Sequence, residues 1–161
     1  MNFQALLPLL GPHLATLIVA FVSGFVPFVN IEVYMVVAGA LMADNFPVWT
    51  LGVVAGFGQM IAKSMLFWGA NSTANSRVVR RFTPARIDAL TTRMRGMRPS
   101  ILNGFNFMSA FVGLPPFLLV NILAGVIRMR FWHFYATGLV GRSLRMVIMV
   151  EWPHLMKALL R

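Results

Sequence analysis

Two long apolar stretches, about residues 6–70 and 100–150, flank one short basic segment. Each stretch is far longer than the roughly 20 residues that one helix needs to cross the hydrocarbon core of a bilayer. Charged residues make up 11% of the chain, whereas a soluble domain carries about 25%. A soluble chain of 161 residues could not bury this much apolar surface. The sequence therefore predicts a helical membrane protein and argues against an ordinary soluble enzyme.

Basic residues outnumber acidic ones, and half of them lie in one segment. The chain has 14 Lys and Arg residues against 4 Asp and Glu residues, a net charge of +10. Seven arginines lie in Arg77–Arg98, with Asp88 as the one acid. Because loops rich in Lys and Arg stay on the cytoplasmic side, we predict that 77–98 is the charged part of a cytoplasmic loop. In a chain this apolar, the charge favours anionic lipids over nucleic acid as partners.

The first apolar stretch contains a break that a plain spanning helix would not have. Leu14–Val26 is expected to form the body of a first spanning helix, and an interruption then runs from Pro27 to Glu32. The next apolar run, Val33–Met42, is too short to cross a bilayer and has the length of a re-entrant element. Val48–Trp68 is long enough to cross.

The second apolar stretch repeats this plan. Ile101–Val112 is followed by the break Gly113-Leu114-Pro115-Pro116, and the next apolar run, Phe117–Ile127, is again short. Phe131–Val150 is then a full-length spanning segment. The sequence thus predicts a second re-entrant element after the second break.

The two stretches also match at individual residues, because Ala38-Gly39 corresponds to Ala124-Gly125 at an offset of 86 (124 − 38). Matching breaks in a repeated chain indicate a transport site. We predict an all-α polytopic membrane protein with about four spanning helices and two re-entrant hairpins in two similar halves. The sequence leaves open whether the halves are parallel or inverted. The predicted parts of this single membrane domain, residues 1–161, are the first half (3–70, re-entrant element near 27–43), the basic loop (71–99), the second half (100–150, re-entrant element near 113–128) and a tail (151–161).

Each break opens a motif. The first is Pro27-Phe28-Val29-Asn30-Ile31-Glu32 followed by Ala38-Gly39, and the second is Gly113-Leu114-Pro115-Pro116-Phe117 followed by Ala124-Gly125. In order and spacing the two resemble the re-entrant motifs of the DedA family, which belongs to the VTT (SNARE-associated) superfamily of membrane proteins. The resemblance covers roughly Phe21–Arg145, which is most of the chain.

The resemblance implies two re-entrant hairpins that meet inside a small bundle of spanning helices. It also implies lipid transport, because family members are linked to movement of undecaprenyl phosphate or phospholipids across the bacterial inner membrane and their relatives are similar to scramblases. The acidic residue on which the family depends maps onto Glu32. Eight residues before Gly125 (125 − 117 = 8), where the family has an arginine, this chain has Phe117. The nearest basic residues are Arg128, Arg130, Arg142 and Arg145.

Glu32 is the first candidate site residue. A carboxylate at bilayer depth is costly and is usually functional or paired, so Glu32 is predicted to carry a proton or to gate a charged headgroup. The alternative is a structural carboxylate at the start of the short helix, where the helix dipole favours an acid. Asp44 follows that helix, either as a proton relay or as a turn residue.

Four basic residues are candidates for binding a lipid phosphate. Arg142 and Arg145 lie within the last spanning segment, and their spacing of three residues puts them on one helix face. Guanidinium groups bind phosphate through charge-assisted hydrogen bonds, but these residues could instead snorkel to the interface or pair with Glu32. Lys63 in the second spanning helix could bind phosphate, pair with an acid or snorkel to the interface, and Arg128 after the second short run could bind phosphate or anchor the interface.

A further set of residues is assigned to the breaks rather than to chemistry. Pro27, Pro115 and Pro116 are predicted to interrupt helices, because proline lacks a backbone N–H. Asn30 and Asn121 are predicted to satisfy backbone groups that the breaks leave without partners.

The sequence contains no recognisable catalytic or metal-binding set. Cysteine is absent, and His13, His133 and His154 do not have the spacing of metal ligands. We therefore predict no enzyme, no metal and no cofactor. The predicted function is flippase- or scramblase-like movement of an anionic, phosphate-bearing lipid between leaflets of a bacterial-type inner membrane. Protons are a candidate coupling ion and a homo-oligomer a candidate assembly. The alternatives are an ion-coupled transporter or channel for small solutes, and a non-catalytic scaffold for membrane assembly.

Overall fold

The computed structural model describes residues 3–26, 29–42, 46–73, 92 and 94–160. These residues contain helices and no strand, which confirms the predicted all-α class. Pro27, Asp44 and most of the basic loop lie outside the described residues. The helices with described bounds are α1 (Phe3–Phe25), α2 (Ile31–Leu41), α3 (Trp49–Thr73), α4 (Pro99–Val112), α5 (Phe117–Val126) and α6 (Phe131–Leu159).

The order of elements in α1–α3 recurs in α4–α6. A helix is followed by a break, then by a short helix of 11 residues (α2) or 10 residues (α5), and then by a long helix. The first residues of the short helices, Ile31 and Phe117, are 86 positions apart (117 − 31). Local residues set the ends, since α4 starts with Pro99 in its first turn and ends at Gly113 in a left-handed conformation (φ 87°).

One helix among the described residues is long and apolar enough to cross a membrane, namely Trp49–Asn71 within α3. Shorter apolar helices run over Gly11–Phe25, Ile31–Leu41 and Phe117–Val126. With its 14 residues, α4 is roughly 21 Å long, whereas the hydrocarbon core of a bilayer is about 30 Å thick. The number of spanning helices therefore stays a prediction.

The last helix is longer than expected. α6 has 29 residues and continues through Pro153 to Leu159, so most of the predicted tail forms the final turns of this helix. The predicted spanning segment ends at Val150, three residues before a proline, and proline usually ends or kinks a helix. Here the helix carries on past the proline without a described break.

The described chain forms two compact units. The first unit contains Met1–Ala62 and Arg142–Arg161, and the second contains Lys63–Gly141. Each unit therefore holds one helix pair, α1–α2 or α4–α5, together with part of α3 and part of α6.

Contacts between side chains define the helix directions in the first unit. His13 Nε2 is 2.8 Å from Thr50 Oγ1, and Gln59 Nε2 donates to Ser23 Oγ at 3.0 Å, so α1 and α3 run parallel. The carboxylate of Glu32 contacts Arg145, and Gly39 lies against the backbone of Val150, so α2 runs parallel to α6.

The same geometry makes α1 and α2 an antiparallel hairpin. Gly52 lies against Val147 and Gly56 against Ser143, so α6 is antiparallel to α3, and α2 is therefore antiparallel to α1. One cluster of buried apolar residues forms the hydrophobic core of this unit; its members are Ala20, Ile31, Met35, Val48, Leu51, Ala55, Met146 and Val150.

In the second unit, α4 runs parallel to the start of α6. Asn106 donates from Nδ2 to the backbone oxygen of Phe134 (2.9 Å) and to Thr137 Oγ1 (2.8 Å), while Gly141 lies beside Ala110. The chain then reverses after α4, where Ser109 Oγ donates to the backbone oxygen of Pro115 at 2.6 Å. Because α5 ends just before α6 begins, α4 and α5 also form a hairpin.

Candidate functional site

The start of α2 is built by a side chain that caps the helix. Asn30 has an extended backbone, and its Oδ1 accepts hydrogen bonds from the backbone N–H groups of Glu32 (3.0 Å) and Val33 (3.3 Å). Helix starts leave such N–H groups without partners, and asparagine is a preferred capping residue. The cap ends the break and places Glu32 in the first turn, where the helix dipole favours an acid.

Glu32 forms an ion pair with Arg145. Arg145 Nη2 lies 2.6 Å and Arg145 Nε lies 2.8 Å from the same oxygen, Oε1 of Glu32. The two residues are 113 positions apart in sequence. Their side chains are partly covered, with exposed fractions of 17% for Arg145 and 33% for Glu32. Short charge-assisted hydrogen bonds of this kind are about twice as strong as neutral ones.

Arg142 belongs to the same charged group. It is partly buried, precedes Arg145 by three residues on α6, and interacts electrostatically with both Arg145 and Glu32. One carboxylate therefore faces two guanidinium groups, and this group, which we call the α2–α6 site, has a net charge of +1. A phosphate anion carries the same kind of oxygen ligands as Glu32, so it would compete with this carboxylate for the arginines.

The structure brings together three of the candidate residues and assigns others elsewhere. Glu32, Arg142 and Arg145 meet in the first unit, whereas Lys63 is buried (5% exposed) and belongs to the second unit. Arg128 is exposed just after α5. Pro115 and Pro116 lie between α4 and α5, where the sequence placed a break. The candidates Pro27 and Asp44 lie outside the described residues.

Asn121 was predicted to satisfy backbone groups at the second break, but it lies within the helix that follows the break. It lies within α5, is completely buried, and neither of its amide atoms has a hydrogen-bond partner among the described residues. Among the described residues its amide therefore satisfies no backbone group, whereas Asn30, its counterpart at the first break, does so directly. A buried amide without partners costs free energy, so it calls for an explanation.

A row of polar contacts along α1 escaped the sequence argument. Thr16 Oγ1 is 3.1 Å from the hydroxyl of Tyr34, and Ser23 accepts from the buried Gln59. His13, Thr16 and Ser23 are spaced by three and seven residues, which places them on one helix face. This spacing was a readable signal, but single polar residues in an apolar helix do not reveal their partners.

The described residues contain no group of three or more His, Cys, Asp and Glu side chains that could hold a metal ion. Comparison of the chain with protein-family models, with curated proteins and with solved structures finds no match. Inferences about function therefore rest on the sequence pattern and on the geometry of the site.

Proposed function

We propose that this chain is a polytopic membrane protein that moves an anionic, phosphate-bearing lipid between the leaflets of a bacterial-type inner membrane. The observation that carries the proposal is the α2–α6 site, in which Glu32 at the start of a short, broken helix pairs with Arg145 beside Arg142. Ionisable groups within apolar helices are expensive and commonly mark a substrate or ion pathway.

The apolar outer surface supports a location in the bilayer. Large apolar side chains are exposed at intervals of four residues on several helices. Each of these helices therefore has an exposed apolar stripe along one face. Contiguous apolar surface of this kind marks contact with a membrane or a partner. The stripes contain Leu14, Ile18 and Val22 on α1, Val33, Val37 and Leu41 on α2, Val53, Phe57, Ile61 and Met65 on α3, and Val140, Leu144 and Ile148 on α6.

The helix pairs support the re-entrant interpretation. α2 and α5 are each too short to cross a bilayer, and each turns back on the helix that precedes it. In this proposal α2 and α5 form the re-entrant elements, near residues 27–43 and 113–128, of a divergent member of the DedA family and VTT superfamily. The replacement of the family's second-hairpin arginine by Phe117 shifts the binding of phosphate to the arginines of α6.

Glu32 acts as the gate in this mechanism. When charged, it holds Arg145 and repels a phosphate; when protonated, or when displaced by a phosphate, it releases the guanidinium group. Headgroup binding then replaces one anion by another at an unchanged pair of arginines. Protons are the coupling ion that this exchange would use.

A leaflet-exchange assay in proteoliposomes tests the proposal. Fluorescent phospholipids and polyprenyl phosphates are followed by quenching from the outer side, with wild type, Glu32→Gln and Arg145→Gln compared. We expect Arg145→Gln to lose most of the exchange and Glu32→Gln to change its rate and its dependence on pH. Glu151→Gln, which removes another partly buried acid from α6, is the matched control and should behave as wild type.

Three results would contradict the proposal. Solute or ion flux through the liposomes without lipid exchange would point to a solute transporter or channel. Wild-type exchange in both site variants at every pH would remove the proposed role of the α2–α6 site, and stability changes in the variants with no flux of any kind would favour a scaffold.

A further inference from the structure

The second unit contains a cavity lined by several basic residues, none of which belongs to the α2–α6 site. It has a volume of about 240 Å³, and its lining includes Arg95, Arg128, Arg130, Asn103 and His133. None of its described lining residues is acidic. Three arginines line the cavity beside apolar residues, and their positive charge without a described acid suits the cavity to an anionic ligand that also has an apolar part.

The turn after α5 holds Arg128 at this cavity. The N–H of Arg128 donates to the backbone oxygen of Gly125 (3.1 Å), and the N–H of Met129 donates to that of Ala124 (3.0 Å). This pair of bonds is a Schellman turn, whose left-handed residue is usually glycine. Here the left-handed residue is Arg128, with φ of 56°. The chain therefore keeps an arginine at a position where glycine is normally preferred.

The start of α6 places Arg130 and His133 at the same cavity. The backbone oxygen of Arg130 accepts from the N–H groups of His133 (3.0 Å) and Phe134 (3.1 Å), so Arg130 is the residue from which α6 starts. Asn103 Nδ2 lies 3.3 Å from His133 Nδ1, which joins α4 to α6 at the cavity.

We infer that this cavity binds a phosphate group, through Arg128 and Arg130 from one turn and Arg95 from the end of the basic loop. Guanidinium forks match the oxygen geometry of both carboxylate and phosphate, and the greater negative charge of phosphate suits three arginines better than a monovalent carboxylate does. The same chemistry occurs in a lipid headgroup and in free phosphate. No residue that lines this cavity belongs to the α2–α6 site, and binding here does not require lipid movement.

A second cavity favours the lipid as the source. It has a volume of about 360 Å³ and is lined by Phe67, Trp68 and Phe131 together with Asn71, and it shares Arg128 and Met129 with the basic cavity. A molecule with a phosphate at one end and an apolar chain at the other could occupy both cavities with Arg128 between them.

Calorimetric titration of the full chain in nonionic detergent tests this inference. The probes are dioctanoyl phosphatidic acid, dioctanoylglycerol and inorganic phosphate. We expect the phosphatidic acid to bind and dioctanoylglycerol not to bind, because the two differ in the phosphate. Inorganic phosphate that binds as tightly as the lipid would assign the site to free phosphate, and weaker binding would assign it to a lipid headgroup.

The variant Arg128→Gly/Arg130→Gln should weaken binding by about tenfold or more, because it removes two charge-assisted contacts. Glycine suits the left-handed position, so the fold is expected to survive, which circular dichroism checks. Arg98→Gln is the matched control: it removes an exposed arginine of the same unit that does not line the cavity. Unchanged binding in the double variant, or an equal loss in Arg98→Gln, would overturn the inference. Because binding in detergent needs no transport, this test of the cavity is independent of the leaflet-exchange assay.

Discussion

The short helices α2 and α5 occupy the same place in the order of elements but begin with different chemistry. α2 is capped by Asn30 and carries Glu32, which pairs with Arg145. α5 follows Pro116 without a side-chain cap, and its sequence, FLLVNILAGV, has no ionisable residue. The repeated order therefore describes the path of the chain, whereas the charged chemistry belongs to one hairpin only.

Each of the two short helices packs closely against a long helix at one of its glycines. A Cβ at Gly39 would overlap the backbone oxygen of Val150 on α6, and a Cβ at Gly125 would come within 2.6 Å of the backbone oxygen of Phe67 on α3. In each unit the short helix thus approaches a long helix at backbone distance. Such close contact is the role that small residues have between membrane helices.

The largest expected effect tests this shared packing. Gly39→Ala and Gly125→Ala should each lower the free energy of unfolding by about 3 kcal/mol, because a backbone neighbour cannot move aside as a flexible side chain can. Gly69→Ala is the control, since a Cβ at Gly69 would meet nothing within 4 Å. It should be neutral or stabilising. Unfolding in mixed micelles measures all three, and tolerance of Ala at only one of the two sites would break the equivalence of the short helices.

The next effect has the opposite sign. Asn121→Leu should raise the free energy of unfolding by about 2 kcal/mol, because it removes a buried amide that has no described partner. Asn106→Leu is the matched control, because that buried Asn donates to Phe134 and Thr137 and its loss should destabilise. If Asn121→Leu destabilises as much as the control, the side chain has a partner in the working state of the protein.

A smaller effect tests the start of α2. Asn30→Ala removes the acceptor for two backbone N–H groups and should cost about 1 kcal/mol. Asn30→Asp keeps an acceptor at the same position and should restore the stability. No matching loss is expected from Pro116→Ala, because Pro116 provides no side-chain cap for α5. Equal losses of stability in Asn30→Ala and Pro116→Ala would contradict the difference in capping between the starts of α2 and α5.

The smallest effect concerns the ion pair itself. A double-mutant cycle on Glu32→Gln and Arg145→Gln should give a coupling energy of about 0.5 kcal/mol, because both side chains are partly exposed and the pair is screened. The coupling should fall as salt is added. A coupling that is large and insensitive to salt would mean that the pair is shielded from water more fully than the exposure of its side chains indicates.

Much of the path of the chain was predictable because its signals are local. Proline, glycine and capping residues mark the breaks, so the run Val33–Met42 corresponds closely to α2, and Phe117–Ile127 to α5. The end of α6 was not predictable in this way. Pro153 is a strong local signal for the end of a helix, yet α6 continues past it to Leu159.

The site was predictable in its residue types but not in its pairing. Glu32, Arg142 and Arg145 stood out because charges are rare in the apolar stretches. Whether Arg145 snorkels, binds phosphate or pairs with Glu32 depends on a contact between residues 113 positions apart, which spacing alone does not determine. The left-handed turn at Arg128 was hidden for a related reason, since this conformation rarely accepts a side chain.

The division of the chain into units has a consequence for synthesis. The second unit is one continuous stretch, Lys63–Gly141, whereas the first requires both Met1–Ala62 and Arg142–Arg161. A ribosome therefore releases every residue of the second unit before it completes the first. Glu32 is synthesised 113 residues before Arg145, so its carboxylate lacks its final counter-ion throughout the synthesis of the second unit.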